Sequence, residues 1–289
     1  MAKNKKHNTN PHLNGLSDIK RKLIIGVWAI TIVVIAAVLS KHVATKELQN
    51  SDIITANTPA ESLLTLILPH DLPNKTIEYA GHTVYFNTKL RVPNATIYHL
   101  TAEETLGNLP RVNDFLKDEN VPSCPNSWDY SRSGYDRGHM TPAGDMKWDK
   151  TAMQQTFLMT NICPQDHAMN SGIWSKIENK IRDWARRDSA LIVATGPIFE
   201  GSTKTIGKAN IKIAVPSAFF KVVFCPEQQR MVAFIVPNSP DASYKVRKHL
   251  VSVDDVEQRT GIDFFAALDD NNENLLESTI NYEIWETHR

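Results

Sequence analysis

Cysteine is scarce. The 289-residue chain has three, Cys124, Cys163 and Cys225. None belongs to a CxxC pair or stands beside a cluster of histidines, which excludes a structural zinc ribbon and a disulfide-dense scaffold. In an exported chain three thiols allow one disulfide and leave one thiol over, and the sequence does not choose the pair. An excess of charge is missing as well. Thirty-two Lys and Arg balance 32 Asp and Glu, so the whole-chain charge names no partner. From residue 51 onward 24 basic side chains face 30 acidic ones, a net of −6. A mildly acidic body does not coat itself broadly onto a polyanion, although a local basic groove is still allowed. Lys176, Lys180, Arg182, Arg186 and Arg187 are the residues that can line one. There is no internal repeat, so solenoids and propellers are excluded. Hydrophobic content of 42% is enough for a real core, and the length allows one large or two small domains.

Long apolar runs are absent except for one. Residues 23–40 carry 18 positions without a charge, which is long enough to span a bilayer. Lys20, Arg21 and Lys22 stand directly before it. By the positive-inside rule the first 22 residues form a cytoplasmic basic tail, residues 23–40 a transmembrane anchor, and the rest is exported. The rival reading is a signal peptide cut near Ser40, which releases a secreted protein. Residues 41–75 then read as a linker, with Pro59, Pro69 and Pro73 among polar and small residues. Residues 76–270 form the folded domain, and 271–289 a polar tail.

What is present in that domain is concentrated in two stretches. The first runs from Ser133 to Asp145 and holds Asp136, Arg137, Gly138 and His139 in a row, flanked by Gly134 and Gly144. It has neither helical nor strand periodicity and reads as a polar loop. A histidine beside an arginine can serve as a base next to an anion-binding cation. A solvated surface loop is the plainer reading of these four residues alone. The second stretch places Ile173, Ile177, Ile181 and Trp184 at helical spacing, a core stripe that Asn170 or Ser171 can cap. Asn170, Trp174, Glu178 and Arg182 follow at steps of four along the same helix. An amide, a carboxylate and a guanidinium in one row suit a site holding a hydrated cation beside a phosphate. The plainer reading of Glu178 and Arg182 is an ordinary helix ion pair.

Taken together, the two stretches resemble the DNA/RNA non-specific endonucleases, a family that includes secreted bacterial sugar-non-specific nucleases and mitochondrial endonuclease G. The resemblance rests on Asp136-Arg137-Gly138-His139, on Asn161 before Pro164-Gln165, and on Asn170-x3-Trp174-x3-Glu178-x3-Arg182. It covers about residues 76–265. It implies an α+β fold of the ββα-metal type, a central, mostly antiparallel sheet flanked by helices, here preceded by the transmembrane helix. It implies hydrolysis of DNA and RNA at the backbone with little base preference. His139 would be the general base, and Asn170 the direct protein ligand to one hydrated Mg²⁺, with Mn²⁺ as a substitute. Glu178 would hold the metal's waters, and Arg137 and Arg182 would meet the phosphate. Asp136 would fix the loop and Arg137, and Asn161 would support the site through hydrogen bonds. Arg111 lies where the family keeps an arginine on the substrate phosphate. Relatives often pair, so a homodimer is expected. With the site exported, the domain would lie on the extracytoplasmic side.

The remaining chain supports that fold class. Short β-branched apolar runs at 76–79, 82–86, 95–101, 190–195, 211–215, 219–224 and 231–236, separated by Gly, Pro and Asn, indicate antiparallel strands. Residues 157–162 read as a further strand with Asn161 at its end. Residues 148–153 begin a short helix, and a strand near Val251 leads into a helix ended by Gly261, with Asp254 and Asp255 starting and capping it rather than binding metal. Three rival functions remain: a binding module without catalysis, an interaction protein in which Asp136–His139 is a structural turn, and an esterase for small phosphodiesters.

Overall fold

The computed structural model describes residues 60–287. The basic tail and the apolar run at 23–40 lie outside them. Among the described residues no helix is long and apolar enough to cross a membrane.

The strands are β1 (Lys75–Glu78), β2 (Thr83–Asn87), β3 (Val92–Thr101), β4 (Asp136–His139), β5 (Ile162–Gln165), β6 (Ala190–Ile198), β7 (Lys204–Ile206), β8 (Ile213–Val215), β9 (Ala218–Cys225), β10 (Arg230–Pro237) and β11 (Leu250–Val251). The principal helices are α1 (Lys150–Thr156), α2 (Ser175–Asp188), α3 (Val253–Thr260) and α4 (Asp270–Ser278). Seven strands form one sheet in the order β1-β2-β3-β6-β9-β10-β11, every neighbouring pair antiparallel. The expected α+β architecture with a central antiparallel sheet is what the chain adopts.

Both faces of that sheet are covered, which is why its strands read as apolar runs rather than alternating ones. β9 is buried at all eight positions. Phe219, Val223 and Cys225 face one core with Ile173, Ile177, Ile181 and Trp184. Phe220, Val222 and Phe224 face the other with Val253, Val256, Phe264, Phe265 and Leu276. The helical stripe read from the sequence is thus the face of α2 that lies on the sheet. Burying one such Phe or Ile side chain contributes roughly 1.5–3 kcal/mol.

Several boundaries differ from expectation. The supposed linker is partly structural. A helical turn at Ala60–Leu63 begins the described chain, Leu63 and Leu66 are buried, and Ile67 pairs with Asp263. The backbone N–H of Leu66 donates to the Tyr85 hydroxyl at 3.0 Å. The supposed polar tail also belongs to the fold. It forms α4 and a short turn at Glu283–Glu286, and it buries Leu276, Tyr282 and Trp285. The Trp285 indole donates to the Met231 carbonyl at 3.2 Å and its ring lies 4.9 Å from that of Trp184. Three apolar anchors spaced through polar sequence leave no periodicity to read. All three cysteines are free and buried, so the disulfide allowed by the sequence does not form.

Ser252 caps α3, accepting from the Asp255 N–H at 3.0 Å while the Asp255 carboxylate accepts from the Ser252 N–H at 3.1 Å. Gly261 ends that helix in the left-handed region at φ 69°. The start is therefore a reciprocal Ser–Asp cap.

Candidate active site

The sequence Asp136-Arg137-Gly138-His139 is not a loop. It is β4, paired antiparallel with β5 in the register Asp136 to Gln165, Arg137 to Pro164, Gly138 to Cys163 and His139 to Ile162. The strand is only four residues long and polar, and this is why periodicity missed it. Glycine is required at its centre. A Cβ on Gly138 would lie 2.0 Å from the Gln165 side-chain oxygen. The expected strand at 157–162 is displaced for a related reason. Phe157 follows α1, Met159–Asn161 is a 3-10 turn, and β5 begins only at Ile162.

Asn161 sits in that turn with no exposure, and all its amide groups are used. Its Nδ2 donates to the Thr141 and Thr156 carbonyls at 2.9 and 2.8 Å, and its Oδ1 accepts from the Thr141 N–H at 2.9 Å. Its own carbonyl accepts from the Met140 N–H at 3.0 Å. Asn161 therefore clamps the backbone immediately after His139 and has no group left for a ligand.

The helix after β5 begins earlier than expected. Asp166 is its cap, accepting from Ala168 and Met169 N–H at 2.9 and 3.1 Å. A helical turn at His167–Met169 passes into a π-helical turn at Asn170–Trp174 and then into α2. In a plain α-helix, residues four apart advance by about 40° per step. The π turn at Asn170–Trp174 departs from that spacing. β4, β5 and this helix form a ββα unit.

Asn170 is fixed by Asp136. Its Nδ2 donates to Asp136 Oδ2 at 2.9 Å, and the same oxygen meets Nδ1 of His167 at 3.0 Å. A carboxylate only accepts, so the Asn170 amide is oriented with its NH₂ toward Asp136 and its oxygen directed elsewhere. The Glu178 carboxyl forms no hydrogen bond or ion pair among the described residues. Burial raises it to about 7, opposed by the ammonium of Lys221. Lys221 itself is fully buried on β9, donating to Thr195 Oγ1 at 3.0 Å and lying 4.5 Å above the Trp174 ring. Trp174 packs on Phe219 at 5.6 Å and belongs to the core, not to the row of polar groups.

His139 lies between two phenylalanines, with ring centroids 5.3 Å from Phe115 and 4.7 Å from Phe157. Its Nε2 is sealed from solvent and has no partner among the described residues. Burial lowers its pKa to about 3, with a smaller push from Arg111, so the ring is a neutral imidazole at any ordinary pH. The same phenylalanines carry two guanidinium groups. Arg137 lies 4.6 Å over Phe115 and Arg111 lies 5.2 Å over Phe157. Neither forms a salt bridge among the described residues. A cleft of about 380 Å³ lined by Phe115, Tyr130, Arg132, Asp136, Arg137 and Asn170 opens here. A larger hollow of about 630 Å³, lined by residues such as Glu200, Asp241 and His249, shares none of these side chains.

Arg182 is placed differently. Its Nη1 donates to Asp145 Oδ1 at 2.5 Å and its Nη2 to Asn179 Oδ1 at 2.7 Å. Asp145 is buried and also accepts from the Tyr98 hydroxyl at 2.6 Å. Arg182 is thus committed to a protein carboxylate beside Glu178. The other basic residues of α2 are occupied too. Lys180 pairs with Glu286 at 2.6 Å, Arg186 with Asp183 at 2.8 Å and Arg187 with Asp188 at 2.6 Å. Lys176 donates to the Tyr244 carbonyl at 3.3 Å. Among the described residues the guanidinium groups of Arg111 and Arg137, stacked on Phe157 and Phe115, and that of Arg132 in the cleft wall form no salt bridge. Sequence reading missed Tyr98, Asp145, Lys221 and the two phenylalanines. They are distant in sequence, so no local pattern joins them.

The residues present suit a hard divalent cation. Such an ion keeps most of its waters and takes few protein oxygens. The oriented, uncommitted amide oxygen of Asn170 and the unpaired Glu178 carboxyl are donors of that kind.

Residues 63–271 match the sequence profile of the DNA/RNA non-specific endonucleases. The mitochondrial nuclease EXOG of Xenopus laevis is 34% identical over 210 residues, covering 66% of this chain and 58% of that one. The chain thus spans under two thirds of the EXOG length. Nuclease C1 of Cunninghamella echinulata var. echinulata is 35% identical over 210 residues, 67% of this chain and 83% of that one. In the crystal structure of the EndoG/EndoGI complex, one chain superposes with a TM-score of 0.64 at 28% identity, covering 69% of this chain and 89% of that one. These relatives correct one expectation. A single-pass membrane protein with its domain on the extracytoplasmic side is not supported, because matching nucleases from vertebrates and yeasts are mitochondrial.

Proposed function

Since the chain belongs to the DNA/RNA non-specific endonuclease family, we propose that it is a divalent-metal-dependent nuclease hydrolysing the backbone phosphodiesters of DNA and RNA. His139 is the general base, Asn170 the direct ligand to Mg²⁺, and Glu178 the group that holds the metal's waters. The observation that carries this reading is the bond from Asn170 to Asp136. It presents an amide oxygen on the helix of a ββα unit whose first strand ends in a neutral, unpartnered histidine.

Hydrolysis requires an activated water, charge neutralisation on the scissile phosphate and help for the leaving oxygen. The bound cation supplies Lewis-acid stabilisation of the phosphate and leaving oxygen. His139 accepts the proton of the attacking water. It is neutral before the reaction, and a bound phosphate anion favours its protonated form during it. Arg137 and Arg111 are preformed anion ligands. Stacking on Phe115 and Phe157 holds each planar group in place without using its N–H donors. Arg182 keeps Asp145 and Glu178 compatible by placing a fixed positive charge between two carboxylates. Asp136 acts through Asn170 by fixing its amide. With contacts confined to phosphate, the enzyme reads backbone and not base.

The test is cleavage of supercoiled plasmid and of RNA by the purified protein in Mg²⁺ or EDTA, beside His139→Ala. Loss of both plasmid and RNA in Mg²⁺ alone, abolished by the substitution, is the expected result. Folded protein that cleaves neither substrate with any divalent metal would sink the catalytic reading. Cleavage that survives His139→Ala would show that the base is misplaced.

A further inference from the structure

On the opposite face of the central sheet from α2, helices α3 and α4 bring together acidic side chains with no balancing cation. One carboxylate oxygen each from Asp254, Glu257 and Glu277 lies within 4.8 Å of the others. Asp254 is exposed, Glu257 half-buried and Glu277 only 5% exposed. The Oε1 atom of Glu277 is sealed from solvent and has no hydrogen-bond partner among the described residues. Oε1 of Glu273, one turn earlier on α4, is in the same state. Asp263 lies close enough to be felt by both. Glu257 spends one oxygen on the Phe264 N–H at 2.8 Å. The nearby Arg259 is engaged with Glu200.

A buried carboxylate among carboxylates is costly unless a cation or a proton compensates it. Oxygens within 4.8 Å of one another can share one cation, since a shell with calcium–oxygen distances of about 2.4 Å spans separations up to that width. Two or three acidic side chains with open access to water on one side, here at Asp254, complete a coordination shell with waters. We propose that Asp254, Glu257 and Glu277 form a structural binding site for a calcium-sized divalent cation, separate from the catalytic centre, which pins α4 to α3. The proposal does not depend on the nuclease reading, since none of these residues touches the cleft at His139.

Burial and the neighbouring carboxylates raise Glu277 to about 9 and Glu273 to about 7. Without a cation, then, the cluster carries protons at neutral pH, and cation binding expels them. The experiment uses the purified full chain carrying Asn170→Ala, so that the catalytic centre does not contribute. Calcium is titrated calorimetrically, and thermal unfolding is followed in millimolar calcium and in EDTA. One site is expected, with a Tm higher in calcium by roughly 5 °C. Asp254→Asn, at an exposed position that leaves folding intact, weakens binding about tenfold, and Glu277→Gln abolishes it. Absence of calcium binding, or binding unchanged in Asp254→Asn, overturns the proposal. Calcium binding by Glu277→Gln that matches the parent protein also overturns it, because Glu277 is then not a ligand.

Discussion

At the scale of single residues, the site depends on side chains that never meet the substrate. Asp136 orients Asn170, and removing it frees the amide to turn. Asp136→Ala is expected to raise the Mg²⁺ concentration for half-maximal activity about 10- to 100-fold, while the circular dichroism spectrum is unchanged. A metal dependence identical to wild type would remove Asp136 from this role. Asn161 is a different case, since its bonds are structural. Asn161→Ala leaves two buried carbonyls and one N–H without their partner. It should cost about 3 kcal/mol in urea unfolding and reduce activity through the displaced His139. Arg137 is held only by stacking. Arg137→Ala should lower kcat/KM about 100-fold, by similar factors on DNA and RNA. A loss confined to one substrate would show base or sugar reading at this position.

At the scale of elements, the β4–β5 pair is the most constrained. Gly138→Ala would drive a methyl into Gln165. The expected cost is about 1–3 kcal/mol, with activity falling further than stability because His139 is the adjacent residue; equal loss of both would place the strain elsewhere. The helix stripe Ile173, Ile177, Ile181 and Trp184 was legible in the sequence because a helix on a sheet needs one apolar face. The seven-stranded sheet was legible because two-sided burial demands apolar runs. β4 was not, because a four-residue strand made of Asp, Arg, Gly and His has no apolar face to show. The family motif singled out these four residues without their conformation. The π turn at Asn170–Trp174 was equally hidden, since the same residues also read as a plain helix. Motif spacing assigned the phosphate contact to Arg182, whereas the fold gives that residue a buried carboxylate, Asp145, 37 residues away in the chain. The closing turn at Glu283–Glu286 escaped for want of periodicity, although Trp285 is fully buried.

At the scale of the whole molecule, stability in acid is limited by buried imidazole. His82 is 4% exposed with neither ring nitrogen bonded, and burial lowers its pKa to about 3. Its folded pKa lies below the unfolded value of about 6.5, so below that pH the unfolded chain takes up a proton the native chain refuses. The contribution of His82 is therefore full above about pH 6.5 and falls by at most about 1.4 kcal/mol per pH unit as pH drops toward 3. His139 acts in the same direction. Urea midpoints measured from pH 7.5 to 4.5 should decline in the wild type and decline less in His82→Phe. Parallel curves would show that other groups govern acid unfolding.

The three thiols provide the chain with an internal clock. Cys124 lies in the segment before β4, Cys163 in β5 and Cys225 at the end of β9, and all are sealed in the core. Burial raises the pKa values of all three, Cys124 to about 12 and Cys225 to about 11, and Cys163 moves in the same direction. A thiol that is both shielded and protonated does not react until the structure around it opens. Alkylation of the native protein thus reports opening events, and each cysteine times a different one: the approach to the cleft, the strand beside His139, and the centre of the sheet. Three equal rates would mean that the molecule opens as one cooperative body. A faster Cys124 would mean that the approach to the cleft breathes while the sheet stays closed.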